Sequence, residues 1–380
     1  MPALDLRRVH REIEKELIDA SIRIITSGRY VLGDEVRRFE KSICEMLGAQ
    51  DAVAVNSGTD ALTLGLMALG ISRDCEVITS PFSFFATAEA ILAVQACPVF
   101  VDIDPETYCI NPAFIERAVT NKTSAIIPVH IFGHPCDMKE ICEQAVMLNK
   151  VFVLEDCAQA FGAKILGKPV GSFGDFSAFS FYPTKTLGAL GDAGCFVANQ
   201  KGYADAVRIL RNHGQSSRYE YLSRGLNSRM DEIQSAFLNV KLKMLEKWNE
   251  ERRRLSARYT ELITSELADS VKCPAEKEGY YHVFHQYAIR VKNRDQVLRY
   301  LIDSGIEAIV HYPLPLHLIK PLKFLGYKPG DFPEAEALAR EVICLPIFPG
   351  LTEEEQQYVV QKLKEAIKRA KGLPGNHQGS

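Results

Sequence analysis

The chain has 380 residues, of which 47% are hydrophobic and 24% charged, with a formal net charge of −3. That length accommodates a large core and two lobes, and the composition is ordinary for a globular enzyme. No Lys/Arg block dominates, no apolar run is long enough to span a bilayer and residues 1–20 lack a signal core, which argues against nucleic-acid, membrane and secretory roles.

In chain order, residues 10–45 read as two helical stretches broken between Gly28 and Gly33. Strands are predicted over 52–56, 76–80, 99–103, 124–130, 151–156, 177–181 and 194–198. Helices are predicted between several of them, over 60–69, 86–94, 112–119 and 138–149. This alternation implies an α/β fold with a mainly parallel sheet covered on both faces. Residues 230–259 predict one long helix or two, leading into a second lobe with a strand at 286–291 and helices at 294–304 and 352–369. Thr352 followed by Glu355 reads as a capping box for the last helix. The expected division is a large lobe over 1–245, N-terminal helices included, and a smaller α+β lobe over 246–371. The tail after Lys371, containing Gly, Pro, Asn and Ser, is expected to be disordered.

Lys185 lies in an apolar, Gly-rich loop, 179–194, where a lysine has no evident packing role. A desolvated lysine has a lowered pKa and becomes a nucleophilic amine able to form a Schiff base; a surface lysine is the alternative. Asn56-Ser57-Gly58-Thr59-Asp60 follows a strand and opens a helix, so its free N–H groups suit a phosphate, or Ser57 or Thr59 simply caps the helix. There is no GxGxxG and no Walker-type lysine. The strand at 151–156 ends in Glu155-Asp156, where a carboxylate suits a cationic ring nitrogen, an N-cap or a metal. Metal has little support: His130 and His134 stand in a loop with Gly133 and Pro135, and the ten cysteines are scattered without CxxC spacing. Those cysteines read as reduced thiols of a cytoplasmic protein. Ser180 can donate to the same phosphate. Asn227 and Arg229, just ahead of a helix, serve equally as caps, salt-bridge partners or anion ligands. His311-Tyr312-Pro313-Leu314-Pro315-Leu316-His317 is a stiff loop of the kind that lines sites, or a chain reversal.

These stretches, with Gly33-Asp34-Glu35-Val36, Phe39-Glu40, Pro128-Val129-His130, Gly162-Ala163 and Leu345-Pro346-Ile347, resemble in order and spacing the sugar aminotransferases of the DegT/DnrJ/StrS group. The resemblance runs from about residue 4 to about 367. It implies fold type I of the pyridoxal phosphate enzymes, the aspartate-aminotransferase fold. It also implies a homodimer with active sites shared between subunits. Lys185 would carry the cofactor as a Schiff base and later move a proton between carbons. Asp156 would pair with the ring nitrogen, Gln159 with the ring hydroxyl, and Phe84 would stack on the ring. Gly58, Thr59 and Ser180 would hold the phosphate, with Asn227 reaching it from the neighbouring subunit. Tyr182, Arg229, His311, Tyr312 and His317 would border the substrate. L-Glutamate would convert the cofactor to pyridoxamine phosphate, and a nucleotide-linked keto sugar would accept the amine. The stretches at 213–219 and 225–229 look most like those of 3-aminotransferases, favouring a 3-keto over a 4-keto sugar. The chain departs from the family pattern at Asp74-Cys75 and at Cys157 and Phe161, the latter pair expected to shape the floor of the substrate pocket. Relatives that dehydrate sugars carry histidine in place of the lysine, so Lys185 speaks against dehydration. A non-catalytic cofactor-binding regulator is the alternative of another class.

Overall fold

The middle of the chain builds a seven-stranded sheet. Its strands are β1 (Asp51–Val55), β2 (Glu76–Thr79), β3 (Cys97–Phe100), β4 (Thr123–Ile127), β5 (Phe152–Asp156), β6 (Phe176–Ser180) and β7 (Gly194–Ala198). Their spatial order is β1-β7-β6-β5-β4-β2-β3. Neighbours pair in parallel except at β7, which runs antiparallel to both β6 and β1. Seen in this computed structural model, which describes residues 1–148, 151–200 and 202–372, the mixed, mainly parallel sheet expected from the sequence is present.

Helices cover both faces: α1 (Glu14–Ser27), α2 (Asp34–Leu47), α3 (Gly58–Ala68), α4 (Phe85–Ala93), α5 (Met138–Met147), α6 (Tyr203–Leu210) and α7 (Glu232–Lys241). Strand alternation decides which face each residue feeds. Ala52 and Ala54 join Phe39 and Ile43 of α2, whereas Val53 and Val55 join Leu62, Leu64 and Leu66 of α3. Each fully buried valine, leucine, isoleucine or phenylalanine here contributes roughly 1.5–3 kcal/mol. The exposed edge of β1 is closed by a buried ion pair rather than by another strand. Glu40 accepts the Ala54 N–H at 2.9 Å, and Arg211 donates to the Ala54 carbonyl at 2.6 Å and to Glu40 at 2.7 Å.

The expected break between Gly28 and Gly33 falls between α1 and α2. Gly28 ends α1 in the left-handed region, with φ +64°. Glu232 of α7 then caps α2, accepting the N–H groups of Gly33, Glu35 and Val36 at 2.7–3.0 Å. Residues 230–259 form two helices, α7 and α8 (Leu245–Leu267), separated by a 3-10 turn at Leu242–Met244. The helix expected at 112–119 is instead two 3-10 turns, Pro112–Phe114 and Glu116–Ala118.

The C-terminal third carries a three-stranded antiparallel sheet of β8 (Val271–Lys272), β9 (Tyr287–Val291) and β10 (Val342–Leu345). With it come α9 (Arg294–Asp303), α10 (Pro333–Glu341) and α11 (Glu353–Gly372). The sequence reading missed β8, β10 and α10 here, and α6 in the first lobe. The capping box of α11 is reciprocal, Glu355 N–H to Thr352 Oγ1 at 3.2 Å and Thr352 N–H to the Glu355 carboxylate at 2.8 Å. Leu17, Ala20 and Ile24 of α1 share one core with Leu255, Tyr259, Tyr287 and Leu363. The tail expected to be disordered lies outside the described residues beyond Gly372, as does Asn149 at the end of the predicted helix 138–149. No described helix is long and apolar enough to cross a membrane.

Candidate active site

Ligands of open α/β sheets gather at the carboxyl ends of the parallel strands, and the chemistry predicted from the sequence converges there. Asp156 ends β5 and Ser180 ends β6. Gly58 and Thr59 open α3 just after β1, and Phe84 stands at the N-cap of α4, beyond β2. A cavity of about 490 Å³ is lined by these residues together with Gln159, Tyr182, Lys185, His311 and Tyr312.

At one end the cavity is built for an anion. Ser57 caps α3, its hydroxyl accepting the Asp60 N–H at 3.1 Å. The amide ends of the first turn and the hydroxyls of Thr59 and Ser180 line the cavity beside it. Two glycines permit the close approach. A Cβ on Gly58 would lie 2.7 Å from Ser180 Cβ, and one on Gly194, where β7 begins, 2.2 Å from the Ser57 carbonyl carbon. Ser228 fastens this corner, accepting the Asn56 N–H at 3.1 Å and donating to Asp60 at 2.6 Å.

Elsewhere in the cavity a carboxylate and an amine are set up electrostatically. Asp156 is 4% exposed, and burial raises its pKa. Thr87 Oγ1, 2.8 Å from Oδ2, and the Ala158 N–H, 3.1 Å from Oδ1, oppose that shift. The Lys185 amine makes no hydrogen bond or ion pair among the described residues. Desolvation lowers its pKa to about 8, held from falling further by the charge of Asp156. Helix α7 steadies the loop that follows it. The buried Lys241 amine donates to the Gly188 carbonyl at 2.7 Å, and Gln234 Oε1 accepts the Leu190 N–H at 2.9 Å. Gln159 is oriented by the Phe132 N–H at 2.9 Å and reaches the Tyr312 hydroxyl at 3.4 Å. Phe84 is 59% exposed, with its ring 6.1 Å from that of Tyr312.

An anion cradle, a buried carboxylate, a lowered-pKa amine and a free aromatic face in one cavity fit pyridoxal phosphate. Lys185 would hold its aldehyde carbon, Asp156 its ring nitrogen, Gln159 its ring hydroxyl, Phe84 its ring face, and Thr59, Ser180 and the start of α3 its phosphate.

Three predicted site residues lie outside this cavity. Asn227 is exposed and pairs backbone to backbone with Asn212, whose side chain accepts from Arg229 at 3.0 Å. His317 is buried, its Nε2 3.1 Å from Glu336 and its ring edge-on to Phe332, while its Nδ1 has no partner among the described residues. The expectation for Cys157 and Phe161 needs correcting. Both are buried in the core beneath the sheet, Phe161 edge-on to Phe179 and Phe181, and neither lines the cavity.

His130, Glu155 and Cys157 bring ligand atoms within 4.8 Å of one another, a grouping not legible from their spacing. Hydrogen bonds already saturate it. Glu155 accepts His130 Nε2 at 3.1 Å and the N–H groups of Gly171, Phe173 and Gly174 at 2.7–2.8 Å, while His130 Nδ1 accepts the Cys136 N–H at 2.9 Å. The acidic pair is thereby divided: Glu155 fastens the loop at 171–174, and Asp156 faces the cavity.

The sequence reading missed Ser83, Thr87, Asp192, His285 and Gln286 as lining residues. Thr87 was within reach, three residues after Phe84 and therefore one helical turn onward. His285 carries no local pattern that marks it.

The sequence profile of the DegT/DnrJ/EryC1/StrS aminotransferase family matches residues 11–364. A pleiotropic regulatory protein of Geobacillus stearothermophilus is 46% identical over 96% of this chain and 98% of its own. A UDP-N-acetyl-3-dehydro-alpha-D-glucosamine 3-aminotransferase of Acidithiobacillus ferrooxidans is 41% identical over 97% of this chain and 98% of its own. Among solved structures, Streptomyces venezuelae DesV in complex with a ketimine intermediate superposes with a TM-score of 0.93 at 36% identity, covering 97% of this chain and 98% of that one. Other solved relatives hold the cofactor in its pyridoxal or pyridoxamine form.

Proposed function

The chain belongs to the DegT/DnrJ/EryC1/StrS aminotransferase family of pyridoxal phosphate enzymes acting on nucleotide sugars, and from that premise we propose that it transfers the amino group of L-glutamate to C-3 of a nucleotide-linked 3-keto sugar. The product is an amino sugar nucleotide for a surface polysaccharide or a decorated natural product. The observation that carries the reading is the unpaired Lys185 amine sharing one cavity with buried Asp156. The preference for C-3 draws support from the Acidithiobacillus relative, an aminotransferase of a 3-dehydro sugar nucleotide.

Bound pyridoxal phosphate supplies an electron sink for the carbon that loses its proton. The protein's own residues do the rest. Asp156, whose ionised form is favoured by Thr87 and the Ala158 amide against burial, would hold a proton on the ring nitrogen. The Lys185 amine, once released, moves the proton between the two reacting carbons, and a pKa of about 8 suits it to both giving and taking. The anion cradle at α3 fixes the far end so that the ring cannot slide.

In this reading a second copy of the chain completes the site with Asn227, and the minimal unit is a homodimer. Exposed Asn227 lies a few residues after a hairpin, 215–221, that presents Tyr219 and Tyr221 to solvent. The reading also keeps two lobes, 1–245 and 246–371, with α1 packed on the core of the second, and a cytoplasmic location for ten free thiols.

The test is to add L-glutamate to the purified yellow holoenzyme and follow its visible band. Loss of the band with release of 2-oxoglutarate establishes the first half-reaction, and a panel of 3-keto and 4-keto sugar nucleotides then assigns the second. Amination of a 4-keto sugar alone removes the C-3 assignment. A second reading, a regulator, is favoured by the name of the Geobacillus relative; DNA binding without turnover would establish it.

A further inference from the structure

His285 lines the cavity alongside Lys185 and His311. It is 8% exposed, and its ring makes no hydrogen bond among the described residues. The groups whose charges lower its pKa most are Lys185, Arg252, His311 and His282. Burial first, then the charges of Lys185 and Arg252, push its pKa well below the usual range, so at neutral pH the imidazole is uncharged and carries one N–H to donate.

Arg252 of α8 lies close enough to His285 for its charge to act on it. Helix α8 runs alongside this segment: Arg253 donates to the His282 carbonyl at 3.0 Å, and the hydroxyls of Thr260 and Tyr287 meet at 2.8 Å. Arg252, next to Arg253, therefore lies at the His282 end of this contact. Arg252 is 3% exposed, its Nη1 has no partner, and it makes no ion pair among the described residues. Desolvation draws its pKa down to about 10, which leaves it charged at neutral pH. An uncompensated buried charge is strongly unfavourable, yet the fold keeps one near His285.

We propose that His285, with the Arg252 guanidinium near it, is the subsite for the carboxylate of the amino donor. The inference rests on the transamination reading. Of the two substrates, the amino acid carries its negative charge on the atom next to the reacting carbon. That carboxylate must lie close to Lys185, where His285 is. The diphosphate of a sugar nucleotide is separated from the keto carbon by several bonds and falls farther away. His285 touches the carboxylate, and Arg252 is a positioning residue that acts through it.

The test uses holoenzyme variants and two probes that discharge the same visible band: L-glutamate, which has the carboxylate, and hydroxylamine, which does not. His285→Phe raises the L-glutamate concentration for half-maximal rate about tenfold or more, the loss expected for a hydrogen bond to a charged group, and leaves the hydroxylamine rate within about threefold. His285→Gln, which retains an N–H donor, recovers part of the loss. Arg252→Met gives a smaller rise that Arg252→Lys reverses, with the visible band and melting temperature reporting that each variant holds cofactor and fold. An unchanged L-glutamate dependence in His285→Phe, or equal losses with both probes, overturns the subsite. A wild-type band that responds to hydroxylamine but to no amino acid refutes transamination itself, and the subsite with it.

Discussion

Replacing Thr87 by valine removes one hydroxyl and leaves the side-chain shape nearly unchanged. That hydroxyl lies 2.8 Å from Asp156 Oδ2 and is itself 2.9 Å from the Ser83 hydroxyl. A hydrogen bond to a charged group contributes about 1.5–3 kcal/mol. At 1.36 kcal/mol per unit, its loss moves the Asp156 pKa up by about one to two units. The shift adds to the one burial already imposes, because both disfavour the ionised carboxylate. Only that ionised form holds a protonated ring nitrogen, so affinity for pyridoxal phosphate falls roughly tenfold to a hundredfold. The deficit widens as pH falls through the raised pKa, where more of the carboxyl is neutral. Titration of the apo variant with cofactor at about pH 6 and about pH 8, followed by visible absorbance, measures both effects. Affinity within about twofold of the parent at both pH values would falsify the assignment of Asp156 to the ring nitrogen.

Asp156→Asn separates stability from function. The folded pKa of Asp156 is raised above its unfolded value of 3.8, so its unfavourable contribution is present at neutral pH and vanishes below about pH 4. The apo variant should melt no lower than the parent at neutral pH, with any advantage shrinking toward about pH 4, while cofactor binding is lost; a large drop in melting temperature would contradict this. Gly58→Ala places a Cβ 2.7 Å from Ser180 Cβ, and overpacking of this kind costs about 1–3 kcal/mol. Denaturant unfolding should show that loss together with weaker cofactor binding; full stability would mean that the start of α3 can shift. Lys185 reacts as the free amine, so the rate of apoenzyme reconstitution should climb with pH and level off just above its lowered pKa of about 8. A rate still climbing toward the ordinary lysine value of 10.5 would show an unperturbed amine.

Much of the site was legible because its residues are marked by local pattern. Asn56-Ser57-Gly58-Thr59 reads as a strand-to-helix junction whatever surrounds it, and the Thr352–Glu355 box forms its bonds within a single helical turn. The Gly28 break is equally local, since a left-handed residue ends the helix there. Residues 112–119 misled for the complementary reason. Their apolar spacing suits a helix, but the segment forms two short turns with Ile115 and Phe114 packed into the core, a contact made by distant residues and not by the local pattern.

Glu155 and Asp156 show where sequence stops. Adjacent residues on a strand point to opposite faces, so one was bound to face away from the other, but only the loop at 171–174 decided that Glu155 was the one enclosed. His317 and Phe161 lie near the site in sequence pattern, yet Glu336 and the phenylalanine cluster hold them elsewhere. The chain by itself marked most strands and helices of the main sheet, and Gly58, Thr59, Lys185 and Asp156 as candidates, because each is flagged by neighbours within a few positions. Tertiary structure alone decided that Thr87 supports Asp156, that Lys241 holds the loop after Lys185, and that Arg252 stands unpaired near His285. Those relations join segments 33 to 69 residues apart, and burial, which sets their charges, exists only once the segments pack.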